Sequence, residues 1–108
     1  MENYTYKDLS ISGDNILLDA ALQPVAIYDR DVIAQDLRHA LRESGLLEML
    51  IGERNQVEQK LIFQKIKILV ESDQRIEPGS VDIEQPEKEK LNITAGTEFG
   101  PIYTGVTL

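Results

Sequence analysis

The carboxylates are the side chains of this chain best suited to acid–base chemistry. Nineteen Asp and Glu stand against eleven Lys and Arg and a single His. Glu43, Glu48 and Glu53 fall near one another around a bend that holds Gly45 and Gly52. Glycoside hydrolysis uses two carboxyls about 5 to 9 Å apart, one of them protonated. Among nineteen acids such groupings arise by chance, and none of the three sits in an obvious apolar pocket that would raise a pKa. They read as solvated charge on helix ends.

His39 has no second imidazole to share a metal or a proton. Asp36 and Glu43 lie within a helical turn of it, which predicts a surface contact. The serines sit in no Gly-x-Ser-x-Gly elbow, and no glycine loop is built to cradle phosphate. Asp29-Arg30-Asp31 starts like a calcium loop but lacks the later ligands. Arg75, flanked by Glu71, Asp73 and Glu77, predicts a local ion pair. The absence of Cys removes disulfides, thiol nucleophiles and Cys-ligated metals. The residues therefore predict no catalytic site, no cofactor and no metal, and a protein that is not an enzyme.

The net charge of −8 is spread along the chain. The first 54 residues hold five cations against ten acids, and the rest six against nine. Such a surface repels phosphates, so no nucleic-acid partner is expected. No apolar run approaches the roughly 18 residues of a membrane span, and no signal core follows the N-terminus. The chain is expected to fold in a cytoplasm, with no membrane partner.

A length of 108 residues fits one domain. Leu9 and Ile11 alternate with serines, Gly13-Asp14 makes a turn, and Ile16, Leu17 and Leu18 form a short apolar strand. Residues 24–28 make a third. Asp29 or Asp31 is placed to cap a helix of about four turns, with Ile33, Leu37, Ala40, Leu41 and Ser44 on one face. Arg30, Gln35, Asp36, Arg38, Arg42 and Glu43 fall largely elsewhere. Gly45 suits a left-handed C-terminal cap. Leu46, Leu47, Met49, Leu50 and Ile51 follow as one apolar helical turn. Asn55 and Glu58 match a capping box ahead of a second helix of 14 to 16 residues, with Leu61, Ile62, Ile66, Leu69 and Val70 on one face.

Pro78-Gly79 ends the helical part. Val81 and Ile83, then Leu91 and Ile93, alternate with polar residues as a hairpin around residues 85–89. The predicted class is α+β: short N-terminal strands, two helices and a C-terminal β-hairpin, the helices packed on a small mixed or antiparallel sheet. The ordered core is expected over about 9–95. Residues 96–108 read as a tail or interface arm whose last stretch adds a short strand or lies free. Two apolar stretches are candidate interfaces: Leu46, Leu47, Met49, Leu50 and Ile51, and Phe99, Ile102 and Tyr103.

Three strings resemble a known family. They are Gly13-Asp14-Asn15-Ile16-Leu17-Leu18-Asp19, Gln23-Pro24-Val25-Ala26-Ile27-Tyr28, and the helix stretch Asp31-Val32-Ile33-Ala34-Gln35-Asp36-Leu37-Arg38-His39-Ala40-Leu41. Together with Gly52-Glu53-Arg54 and Val81-Asp82-Ile83 they resemble phage baseplate assembly protein W and the "lysozyme-like" baseplate wedge subunits of contractile tails. They equally resemble a compact subfamily of phage or prophage proteins of unassigned function with the same architecture, to which the chain would belong instead. The resemblance covers about residues 9–95. The family's Glu-Pro-Arg-hydrophobic motif reads Asp73-Gln74-Arg75-Ile76 here, so only Arg75 and Ile76 carry over. The stretch between Gly52 and the second helix is also shorter than in typical members.

The resemblance implies a wedge-like structural subunit in the virion tail, assembled in the host bacterial cytoplasm. Its partners would be other phage tail and baseplate proteins, in a homo- or hetero-oligomer. Gln35, Asp36, Arg75 and Ile76 would stabilise the domain or an interface. The family label also brings an alternative, a peptidoglycan-degrading hydrolase, and a generic small adaptor domain is a further one.

Overall fold

The computed structural model describes residues 4–12 and 15–108. The expected Gly13-Asp14 turn lies outside the described residues. The chain forms β1 (Lys7–Leu9), β2 (Ile11–Ser12), β3 (Asn15–Ile16) and β4 (Ala26–Tyr28). Next come α1 (Arg30–Ser44), α2 (Leu46–Gly52) and α3 (Gln56–Glu71), then β5 (Asp82–Glu87), β6 (Lys90–Thr97) and β7 (Gly100–Thr107). The class is α+β, with three helices among the described residues rather than two: the apolar turn after Gly45 is a helix of its own.

The main sheet has the order β5-β6-β7, antiparallel throughout. Alternation decides its faces. Leu91, Ile93 and Ala95 of β6 and Ile102 and Val106 of β7 point to the helices and are buried. Ile33, Leu37 and Leu41 of α1, Leu47 and Leu50 of α2, and Ile62, Ile66 and Val70 of α3 meet them in one core. The α1 apolar face is as expected except at its end. Ser44 is exposed, and its hydroxyl donates to the Leu41 carbonyl at 2.6 Å. Leu61 of α3 is likewise exposed.

Local signals explain the helix ends. Gly45 adopts φ 77°, the left-handed cap that closes α1 and starts α2. The Asn55 carboxamide accepts from Val57 N–H at 2.8 Å and Glu58 N–H at 3.4 Å. The return bond of that capping box comes from Glu53, not Glu58: its carboxylate accepts from Asn55 N–H at 2.9 Å.

The C-terminal stretch departs from expectation. Residues 96–108 are no tail. The two-residue turn Glu98-Phe99 returns the chain as β7, eight residues long and paired with β6 along its whole length. The alternation hides because Gly100, Pro101 and Gly105 interrupt it, while Thr104 takes an inward position. Arg38 satisfies that buried hydroxyl, donating to Thr104 Oγ1 at 2.9 Å. Burial and the neighbouring Arg42 lower the Arg38 pKa, with Asp31 opposing them.

The N-terminal strands stand apart from the main sheet. β1 pairs with β4 and β2 with β3, in two separate two-stranded ladders. Backbone bonds weave them together: Ser10 N–H to Val25 O, Leu17 N–H to Ser10 O, and Val25 N–H to Leu17 O. The radius of gyration is 15.1 Å, against about 13 Å for a compact chain of this length. The excess reflects an elongated shape, 51 × 30 × 21 Å. Among the described residues, no helix is long and apolar enough to cross a membrane.

Truncation after Glu98 tests the status of the last strand. Burial of Ile102 and Val106 alone supplies about 4 kcal/mol, against a total stability of roughly 5–15 kcal/mol. The shortened chain is expected to lose its cooperative thermal transition by circular dichroism. A melting curve like that of the full chain would mean that residues 99–108 are dispensable to the core.

Candidate functional site

Three segments far apart in sequence meet at Arg75, and a fourth joins through Tyr6. Its guanidinium donates to Asp73 Oδ1 at 2.9 Å and to Asp73 Oδ2 at 2.6 Å, a two-pronged contact. The same guanidinium donates to Asp36 Oδ2 at 3.0 Å, across 39 residues, from the α3–β5 connection to α1. Tyr6 closes a third side, its ring centroid 5.3 Å from the guanidinium carbon. Tyr6 in turn meets Phe99 edge-on at 5.8 Å, at the β6–β7 turn. The expected local pair is thus only partly local. Glu71 and Glu77 take no part, while Asp36 does.

The donated bonds from Arg75 hold the Asp73 carboxyl below its ordinary value of 3.8, although partial burial pushes the other way. The same contacts, led by Asp73, raise the Arg75 pKa. Next along the chain, Ile76 is buried and bridges Thr97, and Glu77 N–H donates to Gly96 O at 2.8 Å. A Cβ at Gly96 would come within 2.6 Å of the Glu77 carboxylate, so that exposed side chain would have to swing aside.

A second set of contacts attaches the N-terminal strands. Gln35 is 1% exposed. Its carboxamide donates to Leu9 O at 2.9 Å and accepts from Ile11 N–H at 2.8 Å. It thereby offers β1 and β2 the donor and acceptor of a neighbouring strand. Gln35 lies off the apolar face of α1, as expected, yet is buried, because its neighbour is backbone. Asp29 occupies the position before α1 with φ 43° but makes no side-chain cap. Its Oδ1 instead accepts from Thr5 N–H and Tyr6 N–H, both at 2.8 Å. The predicted cap residue is in place and serves another segment.

Beyond these clasps the chain projects. Every residue from 15 to 24 is exposed, including Ile16, Leu17, Leu18 and Leu22, the last 75% exposed. Read as core strands, these residues have no layer to pack on. They form an apolar arm, which the sequence reading missed as a surface.

The two candidate interfaces divide. Leu47 and Leu50 are core, Leu46 is half-buried against it, and Met49 and Ile51 are exposed. Ile102 is core, Phe99 is half-buried against it, and Tyr103 is 74% exposed. Neither stretch is one continuous patch. Glu43 and Glu48 are exposed, and Glu53 is half-buried and engaged with Asn55. His39 is half-buried, and among the described residues no ion pair involves it; Asp36 is taken by Arg75.

Residues 7–105 match the family described as "Protein of unknown function (DUF2590)". An "Uncharacterized 12.7 kDa protein in lys 3'region" of Haemophilus phage HP1 (strain HP1c1) is similar to this chain. The two are 45% identical over 96 residues, 88% of this chain and 86% of that protein. No solved structure matches. The phage association stands, and the matching family is one of unknown function. The match also takes in residues 96–105, which the resemblance had left out.

Two variants test the clasps. Gln35→Ala is expected to cost about 1–3 kcal/mol by leaving Leu9 O and Ile11 N–H without partners, with faster hydrogen exchange at Ile11 as the local sign. Asp73→Asn is expected to cost about 1–2 kcal/mol at neutral pH. Because the folded carboxyl titrates below 3.8, that stability is present above this pH and disappears as pH falls through the lowered value. Denaturant melts of both chains should therefore converge in acid; a gap independent of pH would separate the effect from charge.

Proposed function

The chain belongs to the DUF2590 family and is phage-associated; from that premise we propose that it is a structural component of a contractile phage or prophage tail baseplate. It is a wedge-like subunit acting by protein–protein assembly in the virion tail, built in the host bacterial cytoplasm. The observation that carries this reading is the arm of residues 15–24. Its apolar side chains are exposed, although the strands leading into it are tied to the body by well-formed, part-buried bonds. A monomer gains nothing by holding such a segment in water, whereas a subunit that docks it into a neighbour does. The partner is another tail or baseplate protein.

The test is co-expression with the other products of its own tail-gene cluster. Capture of at least one of them is expected, and Leu17→Asp with Leu22→Asp is expected to abolish it while the melting temperature stays the same. Both positions are exposed, so neither substitution disturbs the core. Failure to capture any product of the cluster overturns the reading. The proposed subunit turns over no substrate. Clearing of cell walls that is abolished by Glu43→Gln, Glu48→Gln or Glu53→Gln would favour the hydrolase alternative instead.

A further inference from the structure

The two edges of the main sheet differ. An edge strand exposes unpaired N–H and C=O groups, and proteins blunt it with charge or proline. The β5 edge follows that rule: Asp82, Glu84 and Glu87 line it, and Pro86 removes one donor. The β7 edge does not. No side chain from residue 99 to residue 108 is charged, in a chain of net charge −8.

Among the described residues, only the start of β7 is blocked. Pro101 has no N–H, and its carbonyl accepts from Arg30 at 3.3 Å. Leu108 N–H reaches Glu89 O on the β6 side at 2.8 Å. Backbone groups alternate sides along an antiparallel strand. Even-numbered residues of β7 therefore bond β6, and Tyr103, Gly105 and Thr107 turn theirs to the open edge.

We propose that two copies of this chain pair antiparallel through their β7 edges, joining two three-stranded sheets into one of six. The occupant is a second copy because the edge is complementary to itself. In the register that sets Tyr103 opposite Gly105 of the other copy, the two-fold axis produces the contact twice. Each Tyr103 ring, 74% exposed in the single chain, covers the bare backbone of a glycine. The pairing brings no charged side chain of β7 against its own copy, where the acidic β5 edge would repel one. Pro101 and Arg30 end the ladder on each side, so the contact is short and the dimer weak. It uses neither the arm nor a tail partner, and stands apart from the assembly reading above.

Sedimentation of the full chain over micromolar to millimolar concentration is expected to show the mass double. Tyr103→Lys with Thr107→Lys, both on the exposed face, is expected to leave it monomeric with an unchanged melting temperature. Gln85→Lys on the opposite edge should leave the dimer intact. A monomer at every concentration overturns the proposal, as does a dimer that the paired lysines leave untouched.

The lack of native Cys permits a second readout that does not rest on loss. Tyr103→Cys and Gly105→Cys chains, mixed and oxidised, are expected to cross-link to each other faster than either does alone. A Cβ at Gly105 meets Asn92 Oδ1 at 3.5 Å, an ordinary contact. Equal rates for the mixture and the separate variants overturn the register and the complementarity behind it.

Discussion

The guanidinium of Arg75 is the constraint on which the arrangement of segments depends. A Lys in its place would offer a point charge, able to serve one carboxylate well. The planar fork serves two, Asp73 beside it and Asp36 on α1, and leaves a face for the Tyr6 ring. The helices and the main sheet share a core that would hold them regardless. The loop after α3 adds Ile76 and Val81 to that core, while polar geometry fixes its Arg75 turn and the N-terminal segment. Tyr6 passes the connection on to Phe99, so the turn into β7 is joined to the same node.

Much of the body was legible in residue order. Periodicity placed α1 and α3, Gly45 and Asn55 marked helix ends, and alternation found the β5–β6 hairpin, because each signal is local. β7 escaped because its inward row, Ile102, Thr104 and Val106, contrasts weakly with an outward row of Pro101, Tyr103, Gly105 and Thr107. A strand shows in sequence by the difference between its faces, and here the outer face carries no charge to make one.

The polar contacts were less legible. A Gln on a helix reads as surface, and nothing local indicates that Gln35 would be buried under a backbone. The Asp36–Arg75 pair spans 39 residues, too far for any spacing rule, although the family resemblance had singled out both residues without pairing them. Leu17 and Leu18 show the converse error. An apolar run forms core only if another layer covers it, and a layer is a property of the whole fold.

The clasps on the N-terminal strands share one trait. Gln35 and Asp29 bond only backbone atoms of that segment, at Leu9, Ile11, Thr5 and Tyr6. The attachment therefore takes no account of which side chains the arm carries. Exchange of Ile16, Leu17, Leu18 or Leu22 would leave these bonds as they are, so the surface of the arm is free to change without loosening its attachment.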